Sequence, residues 1–199
     1  MRSSEPSRSS SRPTGGGIAF HGSDVSLAVI IPRSLRLSLE TLMRAVCQNA
    51  VLLCEAYGAA ATCVLDAKSE GPITYCLAQP APYAVYVGDR KVAGFALRRY
   101  PESWLIQGSL LIRPLADPLV KSLPADVMEQ LSARSAPLAE TAEAPMTEED
   151  VMQRWSEHWS SWWAAQMSAD DYVDARGFID EPLRLISGHQ GCCLRSSAP

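Results

Sequence analysis

The stretch "YAVYVGDRKVAGFALRRY", residues 83–100, predicts the β-hairpin from which the fold can be built outward. Its arms are Tyr83–Val87 and Lys91–Arg99, rich in β-branched and aromatic residues, and Gly88-Asp89-Arg90 form the turn between them. Gly94 is unexpected inside a strand, because glycine weakens a strand unless something approaches its backbone closely. The stretch therefore predicts an antiparallel pair with a close approach at Gly94.

Further strands and one long helix surround this hairpin. Additional strands are predicted over 25–32, 61–67 and 103–114. Gly108 interrupts the last of these, which indicates a bulge or a close backbone approach. Apolar residues recur at helical spacing over 39–57, with Ser38 as the N-cap and Gly58 as the stop.

The chain after residue 115 has a helical character. A short helix is predicted over 126–132, and a longer one over about 148–167. Thr147 and Asp150 form a capping-box variant at its start, and a stripe of tryptophans along one face predicts a core-packing helix. Residues 1–11, rich in Ser and Arg, are predicted to be a disordered tail, and 186–199 a second tail.

Composition limits the classes of partner. The 199 residues are 47% hydrophobic, which suits a single domain with a real core. A net charge of -4 without a long basic run argues against nucleic acid, and no apolar stretch approaches the ~20 residues that span a bilayer. Six cysteines without a CxxC pair and no secretory signal predict reduced thiols in a cytoplasmic protein.

A few residues could carry chemistry. Cys76 lies in a proline-containing loop, where a thiolate supported by a nearby cation such as Lys91 could act as a nucleophile. From spacing alone, a small buried cysteine and a solvated hairpin lysine are the simpler explanation of these residues. His21 follows the glycine triplet and is either a turn histidine or a ligand contact. The group His189, Cys192 and Cys193 lacks a fourth ligand at a familiar spacing, so no metal site is predicted.

Three stretches resemble one family. "RPTGGGIAFHG" (12–22), "GDRKVAGFALRR" (88–99) and "LIQGSLLI" (105–112) resemble, in order, segments of the lipoate-protein ligase and octanoyltransferase superfamily, which includes biotin ligases. The resemblance implies an α+β fold, a mixed and mainly antiparallel sheet flanked by helices, in one biotin/lipoate ligase-like domain over 12–185. Family members carry a strand, a helix and a strand before the first segment, so we expect a domain lacking its N-terminal elements.

The stretch "YCLAQPAPYAVYVGDRK" is similar to the cysteine-dependent octanoyltransferases of this superfamily. That resemblance implies catalytic roles for Cys76, as the acyl-enzyme nucleophile, and Lys91, which would orient the acyl carbonyl and manage the proton. Burial of an ammonium favours its neutral form. The substrate would contact Arg12, Gly15, Gly16, Gly17, His21, Gly94 and Gly108. Phe95 and Gln107 stand where the family has Ser and His, so a less polar surrounding is expected for the acyl carbonyl.

The implied activity moves an octanoyl or lipoyl group from a thioester donor to a lysine of a lipoyl domain or a glycine-cleavage H protein. The donor would be acyl carrier protein or H protein, and no cofactor or metal is required. An ATP-dependent lipoate-protein ligase, which would use ATP and Mg, is one alternative. A non-catalytic homologue that binds an acyl chain or a lipoyl domain is the other.

Overall fold

A computed structural model describes residues 8–12, 14, 17–67, 74–166, 186–187 and 192–196. Its main sheet has six strands in the spatial order β4-β5-β6-β7-β3-β8, and every neighbouring pair is antiparallel. These strands are β3 Asp24–Pro32, β4 Ala61–Val64, β5 Ala84–Val87, β6 Arg90–Arg99, β7 Ser103–Leu111 and β8 Ile186–Ser187. The sheet confirms the predicted mainly antiparallel α+β class.

The predicted hairpin forms β5 and β6. Arg90 already pairs with Val87, so the turn is Gly88-Asp89 alone, one residue shorter than expected. Gly88 has φ +62, in the left-handed region that glycine adopts without steric cost. The paired arms place β6 beside β7, which runs back to pair with β3 along its whole length.

Two long helices begin at the predicted caps. In α1, Leu39–Glu55, the Ser38 hydroxyl accepts a hydrogen bond from the Thr41 N–H, and the chain leaves the helix at Gly58 with φ +83. In α5, Glu148–Gln166, Thr147 and Asp150 each accept the other's backbone N–H, which completes the predicted capping box. The shorter helices are α2 Asp117–Val120, α3 Ala125–Arg134 and α4 Leu138–Thr141.

The main core lies between one face of the sheet and the helices α1 and α5. Trp155 is fully buried there, Trp159 is 2% exposed, and the tryptophan stripe therefore packs the core as predicted. Phe95 on β6 meets Trp155 edge-on, with ring centroids 6.3 Å apart. A second apolar cluster unites the strand β2 Ala19–Phe20, the turn at 77–78 and α3 through Phe20, Leu77, Ala78, Leu111, Val127 and Leu131.

A small second sheet differs from the expected tails. The strand β1 Arg8–Arg12 pairs in parallel with β9 Cys192–Ser196, and β9 pairs antiparallel with β2. Residues 8–12 are Ser and Arg and give β1 no apolar face, so nothing in their composition predicts a strand. The strand forms because β9, from the other end of the chain, pairs with it. The domain boundaries at 12 and 185 otherwise remain a prediction.

Within the described residues, the structure has no helix that is both long and apolar enough to cross a membrane.

Candidate active site

A bulge in β6 determines where Lys91 points. Tyr86 pairs with Lys91 and Val85 with Ala93, so Val92 is an extra residue in β6. Because strand side chains alternate between faces, the extra residue places Lys91 on the face of Gly94, opposite to the face that Ala93 shares with the helical core. The bulge therefore aims the lysine away from α1 and α5.

Lys91 is buried and bound to the Cys76 loop. Lys91 is only 3% exposed, and its Nζ donates hydrogen bonds to the carbonyl oxygens of Cys76 at 2.8 Å and Gln79 at 3.4 Å. A solvated hairpin lysine, the simpler alternative from sequence, is therefore wrong. The structure brings together the two residues that the sequence could only suggest as a pair.

The two strand glycines have different neighbours. A Cβ on Gly94 would lie 3.0 Å from Lys91 Cε and 3.3 Å from Nζ, so the close approach expected there is made by the lysine itself. A Cβ on Gly108 would lie 2.0 Å from Phe95 Cδ1, on the core face of the sheet. The register of β7 runs unbroken through Gly108, so there is no bulge, and the alternative, a close approach, is made by the Phe95 ring. The contact of Gly108 with substrate remains a prediction.

Cys76 lies in a turn that is hydrogen-bonded to Ile18, just after the glycine triplet. The N–H of Cys76 donates to Ile18 O at 2.9 Å, and Ile18 N–H donates to Thr74 O at 2.7 Å. Cys76 Sγ lies 3.7 Å from the carbonyl oxygen of the buried Gly17. Cys76 is partly exposed. Its thiol contacts the Gly17 carbonyl oxygen, and its own carbonyl oxygen accepts the hydrogen bond of Lys91.

The other cysteines with described side chains are poorly suited to nucleophilic attack. Burial raises the pKa of Cys54 to about 12 and also raises the pKa of Cys47 strongly. Burial raises the pKa of Cys63 as well, although a hydrogen bond from Cys47 and the charge of Arg44 oppose it. The thiolate is the reactive form, so these residues stay inert thiols at neutral pH.

The glycine segment is tied to β7. Gly15 and Gly16 lie outside the described residues, and their predicted contact with the acyl group remains a prediction. Next to them, Thr14 is 1% exposed and its hydroxyl donates to Gln107 Oε1 at 2.9 Å. For Arg12 the structure describes only the backbone position in β1, so its predicted contact with the substrate also remains a prediction.

His21 belongs to a polar cluster on the face of the sheet that carries Lys91 and Gly94, called the Lys91 face below. Its Nδ1 lies 2.7 Å from Asp24 Oδ2 and 3.0 Å from Ser26 Oγ, while Ser109 Oγ donates to the same Asp24 oxygen at 2.6 Å. Ser109 pairs directly with Gly94, which connects this cluster to the neighbourhood of Lys91. Burial alone would raise the pKa of Asp24, but hydrogen bonds from His21, Ser109 and the Gly22 N–H outweigh it and lower the pKa.

This cluster was not predicted. Asp24 belongs to no motif, and Ser109 lies in the stretch "LIQGSLLI" without a role assigned to it. The spacing "HGSD" could have suggested only that a carboxylate three residues after His21 lies within its reach. The arrangement also differs from a Ser-His-Asp triad, because Ser26 and Asp24 meet the same ring nitrogen.

The family model described as the lipoyl protein ligase A/B catalytic domain matches residues 8–160. The chain belongs to this family. No curated protein matches its sequence. Among solved structures, a lipoate-protein ligase A bound with ATP is 16% identical with a TM-score of 0.58, and the match covers 85% of this chain and 66% of that one.

Two structures from the archaeon Thermoplasma acidophilum are also similar. Protein Ta0514 with bound lipoic acid is 16% identical with a TM-score of 0.56, over 85% of this chain and 66% of that one. A bi-partite lipoate protein ligase described with its E2 lipoyl domain is 17% identical with a TM-score of 0.53, over 85% and 65%. At these identities the likeness shows the lipoate ligase fold, and the chain spans less than two thirds of each relative's length.

The lipoyl ligase family's serine and histidine positions are filled differently in this domain. Phe95 is 8% exposed and packs into the core beneath α1 and α5, so its ring does not lie on the face of the sheet that carries Lys91. Gln107 remains a polar group on the Lys91 face, where it accepts the hydrogen bond of Thr14. The expected loss of polarity around the site therefore applies less than the sequence indicated.

In the described part of the chain, no set of three or more His, Cys, Asp or Glu side chains could hold a metal ion. Asp24, a buried carboxylate, accepts hydrogen bonds at both of its oxygens. The side chains of His189, Cys192 and Cys193 lie outside the described residues, and the absence of a metal there remains a prediction.

Proposed function

We propose that this domain is an acyltransferase that moves an octanoyl or lipoyl group from a thioester donor, through a Cys76 acyl-enzyme, to a protein lysine. The observation that carries the proposal is the 2.8 Å hydrogen bond from the buried Lys91 Nζ to the carbonyl oxygen of Cys76. It places the Lys91 amine beside the backbone of Cys76, a cysteine that is partly exposed.

The proposed chemistry has two steps. The Cys76 thiolate attacks the carbonyl carbon of the donor thioester, a new C–S bond forms, and the donor thiolate leaves with the electron pair of the broken C–S bond. The acceptor lysine amine then attacks the acyl-enzyme, a C–N bond forms, and Cys76 leaves as the thiolate. Lys91, as a neutral amine in its buried position, takes the proton that the attacking amine loses.

An apolar cluster directly follows Cys76 in the sequence, and we propose that the acyl chain packs against it. Leu77 and Ala78 directly follow Cys76 and are 6% and 1% exposed, and Phe20 and Leu131 belong to the same second cluster. Each methylene buried against this cluster would contribute about 0.8 kcal/mol, or about fourfold in affinity. An eight-carbon chain would thereby be preferred over shorter ones.

A lipoyl domain is the proposed acceptor, and acyl carrier protein or H protein the proposed donor. Support for the acceptor comes from the bi-partite ligase of similar fold that is described with its E2 lipoyl domain. The similar ligase A bound with ATP supports the second candidate, an ATP-dependent ligase with an acyl-adenylate in place of the acyl-enzyme.

The test measures octanoyl transfer from octanoyl-acyl carrier protein to an apo lipoyl domain, by intact mass and without ATP. Cys76→Ala should abolish transfer, whereas Cys63→Ala, at a cysteine of similar partial exposure, should retain it. Lys91→Met should lower the rate by about 100-fold or more, and the exposed-lysine control Lys121→Met should not.

Three outcomes separate the candidates. Transfer without ATP that depends on Cys76 supports the acyl-enzyme route. Transfer that requires ATP and survives Cys76→Ala would establish the ligase and refute the acyl-enzyme. Binding of the lipoyl domain without transfer in either condition would identify a non-catalytic homologue.

A further inference from the structure

Asp24 is a buried carboxylate with a complete set of donors. It is 1% exposed, its Oδ1 accepts the Gly22 N–H at 3.0 Å, and its Oδ2 accepts from Ser26 and Ser109 at 3.1 and 2.6 Å. The fourth contact is the 2.7 Å approach of His21 Nδ1 to Oδ2. An ionised carboxylate only accepts hydrogen bonds, so His21 must donate through Nδ1.

The other nitrogen of His21 has no such partner. Among the described residues, His21 Nε2 is buried and makes no hydrogen bond. A proton on Nε2 would bury an N–H without an acceptor. Of the two neutral tautomers, the one with its proton on Nδ1 therefore fits this environment best, because that proton has the Asp24 carboxylate as its acceptor.

We propose that Asp24 is a positioning residue that holds His21 as the Nδ1–H tautomer, so that Nε2 offers a lone pair and accepts a hydrogen bond from the ligand. His21 then does not bind the acyl carbonyl oxygen, which is itself an acceptor. Its partner is an N–H or O–H donor of the substrate. The assignment of that donor as the acceptor lysine amine rests on the proposed acyl transfer, whereas the tautomer does not.

The register of the sheet supports this link to the reacting groups. Asp24 and Ser26 lie on β3, Ser26 pairs with Ser109 on β7, and Ser109 pairs with Gly94 on β6. The position of a Gly94 Cβ is 3.3 Å from Lys91 Nζ. Directly opposite residues on one face lie about 5 Å apart at Cβ, so the polar cluster and Lys91 share one patch of the sheet.

The tautomer can be read directly by NMR. The full chain, labelled with 15N at the histidine rings, has only three histidines, and His21→Gln identifies the signal that belongs to His21. In the wild type at neutral pH we expect a protonated Nδ1 and an unprotonated Nε2. Ser26→Ala, which keeps the carboxylate, should preserve this pattern, and Asp24→Asn should shift population to the Nε2–H tautomer.

Kinetics separate this role from a merely structural one. With a preformed Cys76 acyl-enzyme, Asp24→Asn should slow single-turnover transfer to the lipoyl domain by about 10- to 100-fold, while acylation of Cys76 changes less than about threefold. Equal slowing of both steps would refute the assignment of the acceptor amine. An Nε2–H or doubly protonated His21 in the wild type, or an unchanged tautomer in Asp24→Asn, would overturn the positioning role, whether or not Cys76 can be acylated.

Discussion

Substitution of Gly108 by alanine tests the packing between β6 and β7. The added Cβ would stand 2.0 Å from Phe95 Cδ1 and 2.5 Å from Cε1, and 3.1 Å from the Gly94 carbonyl oxygen. Ordinary contact begins at about 3.4 Å, so the ring must retreat by about 1.4 Å. Moving the Phe95 ring costs packing energy, because the ring also packs against Trp155 in the buried core.

The magnitude follows from overpacking of a well-filled core. Inserting a methyl group where the neighbouring ring is confined typically costs 1–3 kcal/mol, and the very short approach here predicts about 3 kcal/mol for Gly108→Ala. Phe95→Ala alone should cost about 3–5 kcal/mol, since it empties the space of a buried ring. In the Phe95→Ala background, the alanine at 108 should cost less than about 1 kcal/mol, because its methyl group enters that space and only the 3.1 Å approach to the Gly94 carbonyl oxygen remains.

Urea denaturation of the four proteins in this double-mutant cycle measures the coupling. We expect a coupling of about 2–3 kcal/mol, with the two substitutions far less costly together than separately. A Gly108→Ala protein destabilised by less than 0.5 kcal/mol, or a coupling near zero, would show that Gly108 does not lie against Phe95.

Three further predictions concern the site. Gly94→Ala places its Cβ 3.0 Å from the flexible Lys91 Cε, so it should lower the free energy of unfolding by less than about 1 kcal/mol. Because it displaces Lys91, it should reduce the rate of acyl transfer by at least about tenfold, and an unchanged rate would contradict the contact. The pKa of Asp24 is lowered in the folded protein, so its ionised carboxylate stabilises the fold above about pH 4, and this contribution is lost as the pH falls further. The free energy of unfolding of Asp24→Asn should therefore vary less between about pH 5 and 2 than that of the wild type. Cys47 and Cys54, buried and with raised pKa values, should resist alkylation at pH 8 in the native protein and react once it is unfolded; fast native labelling of either would argue against their burial.

Local chemistry made part of the fold predictable. The cap at Ser38, the capping box at Thr147 and the left-handed turn glycine Gly88 each act within a few residues, so their signals can be read from the sequence. The tryptophan stripe of α5 was predictable for the same reason, because helical periodicity alone places its members on one face.

The non-local features were not predictable. The extra residue Val92 has no sequence signature, yet it decides which face carries Lys91. The Asp24–Ser109 contact joins residues 85 positions apart through the β3–β7 register, and the pairing of β1 with β9 joins the two ends of the chain. Such contacts depend on how strands align in three dimensions, which the composition and spacing of each strand leave open.

The most direct test of the central claim is the mass of the intact protein after brief incubation with octanoyl-acyl carrier protein. The account predicts an adduct of about 126 Da that peptide mapping places on Cys76, retained in Cys63→Ala and absent in Cys76→Ala. Addition of an apo lipoyl domain should remove the adduct from the wild type and leave it on Lys91→Met. A wild-type protein that transfers octanoyl groups without ever carrying an adduct on Cys76 would contradict the acyl-enzyme.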